Sequence, residues 1–248
     1  MRNIILGQEE VYTANPNVWS FKRVRDIVNG INLRLSNMAG GFPFEFNGTT
    51  WADSERLYLC GEFSDYIVKH RVIQQGLLDS NSGYAAKRFV KARFRKEVRE
   101  DFSTFRLQWM LFCVWQKCKG NLDFRELLLR IPKEVTLVEN TTTDKWESAV
   151  IWGCKNQELH NKRVNLEMEL TKRHQGLSQS EMDTLINLET NKINDVGEWR
   201  GQNNIGKILM LCRDCLCNAT EPTIDYELLN RSKIRLFGER ITFLIPNN

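Results

Sequence analysis

The chain has 248 residues, 42% hydrophobic and 27% charged, with a formal net charge of +4. That is enough apolar material for a sizeable core, and no stretch reaches the ~18–20 consecutive apolar residues of a membrane-spanning helix. The mild basicity falls short of the clustered excess of a dedicated nucleic-acid binder but admits an anionic ligand. The opening MRNIILGQEE lacks the apolar core and cleavage site of a signal peptide, which predicts a cytoplasmic protein with no membrane partner. Seven cysteines without a secretory signal are read as reduced thiols.

Ile4, Ile5 and Leu6 give an apolar start, followed by a loop at Asn15-Pro16-Asn17. SFKRVRDIV, residues 20–28, predicts a short helix with Ser20 as its cap. Gly40-Gly41, Pro43 and Asn47-Gly48 are turn signals, and FPFEFNGTTW around them predicts a hairpin. A helix over 53–63 follows, capped by Asp53 or Ser54, with Leu57, Tyr58, Cys60 and Phe63 on one buried face. Further helices are predicted over 65–79, 84–99 (basic), 103–119 (apolar) and 122–130, the last ended by Pro132. EVTLVEN, 134–140, predicts a strand. Residues 155–199 turn polar and weakly periodic, as a helical insertion or hairpin, with Ser178 and Glu181 forming a capping box. A helix over 204–217 and a strand-like stretch over 222–246 complete the chain, with no internal repeat.

Five constellations carry chemistry or its imitation. CRDCLC sets Cys212, Cys215 and Cys217 together, but zinc takes four ligands, and Cys113, Cys118, His70, His160 and His174 offer no partnered spacing. These cysteines read as small core residues, with no metal. Lys87, Arg88, Lys91, Arg93, Arg95, Lys96 and Arg99 make either a phosphate-facing surface or a solvated helix face anchored by Phe89, Val90 and Phe94. Trp152-Gly153 is either a packed tryptophan or a place where a planar base or ribose approaches the backbone. Gly201, Asn203 and Gly206 make either a simple helix-entry loop or a phosphate seat of backbone N–H groups. Glu55 is either a first-turn acid favoured by the helix dipole or a carboxylate at the edge of an apolar wall, poised for proton transfer.

In this order the pieces resemble the NADAR family, the NAD and ADP-ribose associated domain. Leu35-Ser36-Asn37-Met38 stands where the family has Phe-Ser-Asn-Phe. Trp51 to Phe63 is similar to its aromatic, spacer, glutamate and helix ending in Lys-Phe. Ala86-Lys87 resembles its Ala-Lys helix, and Leu137-Val138-Glu139-Asn140 and Trp152-Gly153 resemble its Val-Glu and Trp-Gly elements. Gly201 to Met210 is similar to a Gly-x-Asn-x-x-Gly-x-x-Leu-Met run ending near Arg213. The resemblance covers residues 34–216, with 155–199 longer than usual; no one motif is specific, and order and spacing carry it.

The resemblance implies an α+β, mainly α-helical domain with a small β element and a helical insertion. That domain would span residues 31–220, with the insertion at about 155–199. Residues 1–30 would be an N-terminal extension and 221–248 a strand-like C-terminal one. It implies an N-glycosidase on ADP-ribose-type substrates, needing no cofactor. One branch of the family cleaves riboflavin-pathway intermediates. The other removes ADP-ribose from guanine bases in DNA, countering a DNA ADP-ribosyltransferase toxin. The second is the expectation here, with an ADP-ribosylated nucleobase or nucleotide as substrate, single-stranded DNA as its carrier and such a toxin as functional counterpart. The alternatives are the riboflavin-intermediate reaction and a non-catalytic ADP-ribose-binding sensor. Glu55 matches the catalytic glutamate, and Ser36, Asn37, Trp152, Gly153, Asn203 and Gly206 are the ligand-binding candidates.

Two positions depart from the pattern. The family's Lys-Phe is Glu62-Phe63 here, so a lysine that takes the sugar as a Schiff base must come from elsewhere. Lys87 is the candidate replacement, ahead of Lys145. The Asp expected three residues before Trp-Gly is Ala149, with Asp144 or Glu147 as substitutes. A second acid near Glu55 would allow direct hydrolysis through two carboxylates, as in glycosidases.

Overall fold

In the computed structural model, which describes residues 3–22, 24, 26–145, 148–191 and 196–244, helices dominate and every strand has four residues or fewer. In chain order come β1 (Glu10–Thr13), β2 (Val18–Phe21), β3 (Ile27–Val28), β4 (Ile31–Asn32), β5 (Phe44–Phe46), β6 (Thr49–Trp51), α1 (Ser54–Glu62), α2 (Val68–Leu78), α3 (Gly83–Arg93), α4 (Phe102–Gly120) and α5 (Leu122–Leu129). Then follow β7 (Thr136–Glu139), α6 (Ala149–Trp152), α7 (Gln157–Arg173), α8 (Gln179–Asn191), β8 (Glu198–Gly201), α9 (Asn204–Asn218), α10 (Tyr226–Arg231), β9 (Arg235–Leu236) and β10 (Glu239–Arg240). The fold is α+β and mainly helical. It clusters into two units, Met1–Ser36 with Ile131–Met210, and Asn37–Arg130 with Leu211–Asn248. No helix among the described residues is long and apolar enough to cross a membrane.

In the first unit β2 runs parallel to β7 and β1 runs antiparallel to β8. Bridges between Asn140 and Cys154 and between Lys155 and Arg200 join the two ladders. Strands this short cannot stand alone; their inner side chains meet in a cluster of Val18, Val138, Cys154, Leu159 and Trp199. Among the described residues of 20–28, the expected helix does not form. Ser20 lies inside β2 opposite Val138, because burying Val18, Trp19 and Phe21 beside β7 outweighs a weak helical pattern. β3 and β4 then form a hairpin through Asn29-Gly30, both at positive φ as a tight turn demands. Among the described residues, the polar 155–199 stretch holds α7, α8 and the start of β8. Ser178 and Glu181 cap α8 reciprocally, the Ser178 N–H donating to Glu181 Oε2 at 2.9 Å and the Glu181 N–H to Ser178 Oγ at 3.4 Å.

In the second unit Asn47-Gly48 closes the β5–β6 hairpin, again with both residues at positive φ. α1 follows, with Asp53 as N-cap accepting the Arg56 N–H at 2.9 Å. α2, α3 and α4 all pack on α1, so residues 54–61 are buried around its whole circumference rather than on one face. Gly61 lies under the Trp109 indole, where any Cβ would overlap the ring, and Trp109 Nε1 donates to the Tyr58 carbonyl at 3.0 Å. The absence of one methyl therefore lets α4 approach α1 closely.

The expected 84–99 helix ends at Arg93 and a 3₁₀ turn spans Arg95–Glu97. Arg99 is buried, donating to Ser64 Oγ at 2.8 Å and the Ser232 carbonyl at 2.7 Å and pairing with Asp101 at 2.6 Å. Among the described residues of the 222–246 stretch, α10 forms instead of a long strand, because Asp225 caps it at 2.8 Å. The β9–β10 ladder is two residues long, turned by Phe237 and Gly238 at positive φ. Residues 245 and 246 lie outside the described residues.

Candidate active site

The first turn of α1 sets the position of Glu55. Its N–H donates to the Asn37 carbonyl at 3.3 Å, and Ser54 Oγ donates to Asn37 Oδ1 at 3.1 Å. Asn37 Nδ2 in turn donates to Met110 Sδ at 2.7 Å. Asn37, expected to hold ligand, thus fastens the chain before the hairpin to α1 and fixes Glu55. The Glu55 side chain is 6% exposed, and Lys87 Nζ of α3 lies 3.3 Å from its Oε1. The two residues expected to be catalytic therefore meet, in an ion pair whose carboxylate is withdrawn from water and whose lysine is half-buried.

Glu62 joins them. It sits seven residues after Glu55 on the same helix, two turns on and about 20° from the same azimuth. Burial first, then the Glu55 carboxylate, push the Glu62 carboxyl up to about 7, against the opposing pull of Lys87, Lys91 and Arg106. Neighbouring groups feel these acids. Burial, then Glu62 and Glu55, push the Tyr58 phenol well above its usual range, and burial with Glu62 does the same to the Cys60 thiol. Two glutamates two turns apart on α1 thus face two lysines one turn apart on α3, with Arg106 of α4 as a third cation. Nothing in the composition of α1 alone predicts this. Complementary spacing was the available signal: Glu at i and i+7 on one helix, Lys at i and i+4 on another.

The remaining candidates fall in the first unit. Ser36 is buried there. Trp152 is half-buried at the end of α6, and the Gly153 N–H closes that helix on the Ala149 carbonyl at 2.9 Å. Asn203 is fully buried; its Nδ2 donates to the Leu137 carbonyl at 2.8 Å and its Oδ1 accepts the Glu139 N–H at 3.1 Å. Gly206 lies where a Cβ would overlap the Leu137 carbonyl. These residues join the start of α9 to β7. Beside them Lys207 is buried, donating to the Ile5 and Gln8 carbonyls at 2.9 and 2.7 Å and pairing with Glu10 at 2.6 Å. Asp144 pairs with Lys22 at 2.9 Å, Lys145 is exposed, and Glu147 lies outside the described residues. All seven cysteines are free thiols, with Cys212 buried beside Cys118. Among the described residues no group of three or more His, Cys, Asp or Glu is placed to hold a metal ion.

No family model matches the chain, and no curated protein matches it. A solved structure does: the NMR structure of the E. coli protein YbiA aligns with a TM-score of 0.51 at 20% identity, over 82% of this chain and 87% of that one. At that identity the likeness is one of fold. YbiA is a NADAR-family protein, so the fold is found in the family that the motifs of this chain resemble.

Proposed function

We propose that this chain is an N-glycosidase that hydrolyses an ADP-ribose N-glycosidic linkage, and that its substrate is guanine-linked ADP-ribose in DNA. The observation that carries the reading is the Glu55–Lys87 pair, a withdrawn carboxylate 3.3 Å from an ammonium at the start of α1. The YbiA-like fold and the order of the NADAR-like motifs support the glycosidase class. A carboxylate held away from water and beside a positioned cation is equipped to move protons at a leaving base. The DNA carrier is favoured by Arg88, Arg93, Arg95 and Lys96, which are exposed along α3 and the turn after it.

The test is release of ADP-ribose from a guanine-ADP-ribosylated single-stranded oligonucleotide, with Glu55→Gln as control. Release by the wild-type chain alone is expected. Equal release by the variant removes Glu55 from the reaction. Tight ADP-ribose binding with no release favours the sensor reading, whose specific motive is the glutamate at position 62 in place of a lysine.

A further inference from the structure

We infer that Glu62 is a second catalytic carboxylate, and that this chain breaks the glycosidic bond by direct hydrolysis between Glu55 and Glu62, without an amine-bound sugar; this rests on the N-glycosidase reading above. Two observations point to it. First, the two acids share one face of α1. Two turns of helix separate their Cα atoms by about 10.5 Å along the axis. Side chains on that spacing reach the ~6.5–9.5 Å that leaves room for a water molecule between two carboxyl groups. Second, Lys87 is the counter-ion of Glu55 at 3.3 Å. A carboxylate at that distance favours the ammonium, which has no lone pair to attack a sugar carbon.

The two environments differ in the sense an acid–base pair needs. The carboxyl of Glu62 titrates near 7, raised by burial and by Glu55. The groups facing it are Glu55, Tyr58 and Cys60 on α1, Lys87 and Lys91 on α3, and Arg106 on α4. At neutral pH a sizeable fraction of Glu62 therefore holds its proton. In the step assigned here, Glu62 gives that proton to the leaving nitrogen base as the C1′–N bond breaks and its electron pair moves to the base. Water supplies the new C1′–O bond, and Glu55 takes the proton the water loses. Proton return from Glu55 to Glu62 through solvent resets the pair. Water is the only co-reactant.

The test combines a titration with kinetics. Carbon-13 NMR of the glutamate carboxyls is expected to show Glu62 titrating near 7, and closer to ordinary glutamate in Glu55→Gln. Turnover is measured on an oligonucleotide carrying ADP-ribose on guanine and on an N-linked ADP-ribosyl mononucleotide. Wild-type turnover is expected to decline above about pH 7. Glu62→Gln, nearly isosteric, is expected to lose on the order of 10²-fold or more in rate and to lose that alkaline limb, with its fold intact by circular dichroism. Borohydride is expected to trap no sugar on any lysine. Wild-type turnover with full rate in Glu62→Gln, or an adduct on any lysine, overturns the inference and leaves the glycosidase reading standing. A Glu62 titration that ignores Glu55 also overturns it, whatever the substrate. No wild-type release from either substrate overturns both.

Discussion

A carboxyl raised to about 7 costs the folded chain free energy whenever the pH forces it to ionise. In the unfolded chain Glu62 titrates near the ordinary glutamate value of 4.5, and in the folded chain near 7. Between those values the folded state keeps a proton that the unfolded state has released. Unfolding free energy attributable to this residue therefore falls as pH rises through that window, and the full cost is present above about 7. Glutamine has no proton to lose. Glu62→Gln is thus expected to be more stable than wild type at pH 8 by roughly 1–3 kcal/mol, discounting for partial exposure, and nearly equal at pH 4. Urea unfolding at the two pH values measures this. A difference that does not change with pH would show that Glu62 ionises without hindrance. The stability gain and the loss of turnover then belong to one substitution, as expected when a strained site is relieved.

At the scale of elements, the basic stretch after Gly83 divides by direction. Lys87 and Lys91 turn to the carboxylates of α1, and Arg99 is buried in a structural role. Arg88, Arg93, Arg95 and Lys96 stay exposed. Replacing those four by alanine is expected to weaken binding of the ADP-ribosylated oligonucleotide and flatten its log–log salt dependence by up to about 3, from ~0.7 per phosphate contact on a single strand. Turnover of an ADP-ribosyl mononucleotide is expected to stay near wild type. Equal losses on both substrates would place these cations in folding rather than in DNA contact. Sequence could not make this division. Seven cations in thirteen residues look alike until the neighbours of each helix face are known, and α1, the partner of Lys87, lies some thirty residues earlier. The same blindness hid Glu62, which position alone marks as a missing lysine. The helices themselves were legible, since α1, α4, α5 and α9 carry caps or long apolar runs that local physics decides. Ser20 was not, because the β2–β7 pairing depends on residues more than a hundred positions away.

For the whole molecule, the carboxylate–cation cluster draws on α1, α3 and α4, all within residues 37–130, whereas the α7–α8 hairpin belongs to the other unit. That hairpin is polar in composition and little buried. Leu159, Leu170 and Met182 are its buried apolar residues among those described, and every residue from Thr171 to Ser180 is exposed. The end of α7 and the turn into α8 therefore offer backbone that local opening can present to a protease without exposing the core. Limited trypsin digestion is expected to cut first after Lys172 or Arg173. The two pieces should stay together in native buffer, held by the β1–β8 ladder, whose strands come from the two sides of the cut. Turnover of the nicked chain should match the intact chain, because Glu55, Glu62, Lys87, Lys91 and Arg106 all belong to the other unit. Native mass spectrometry and the oligonucleotide assay on the same sample decide it. If the nicked pair remains associated yet loses turnover, the intact α7–α8 connection takes part in the reaction.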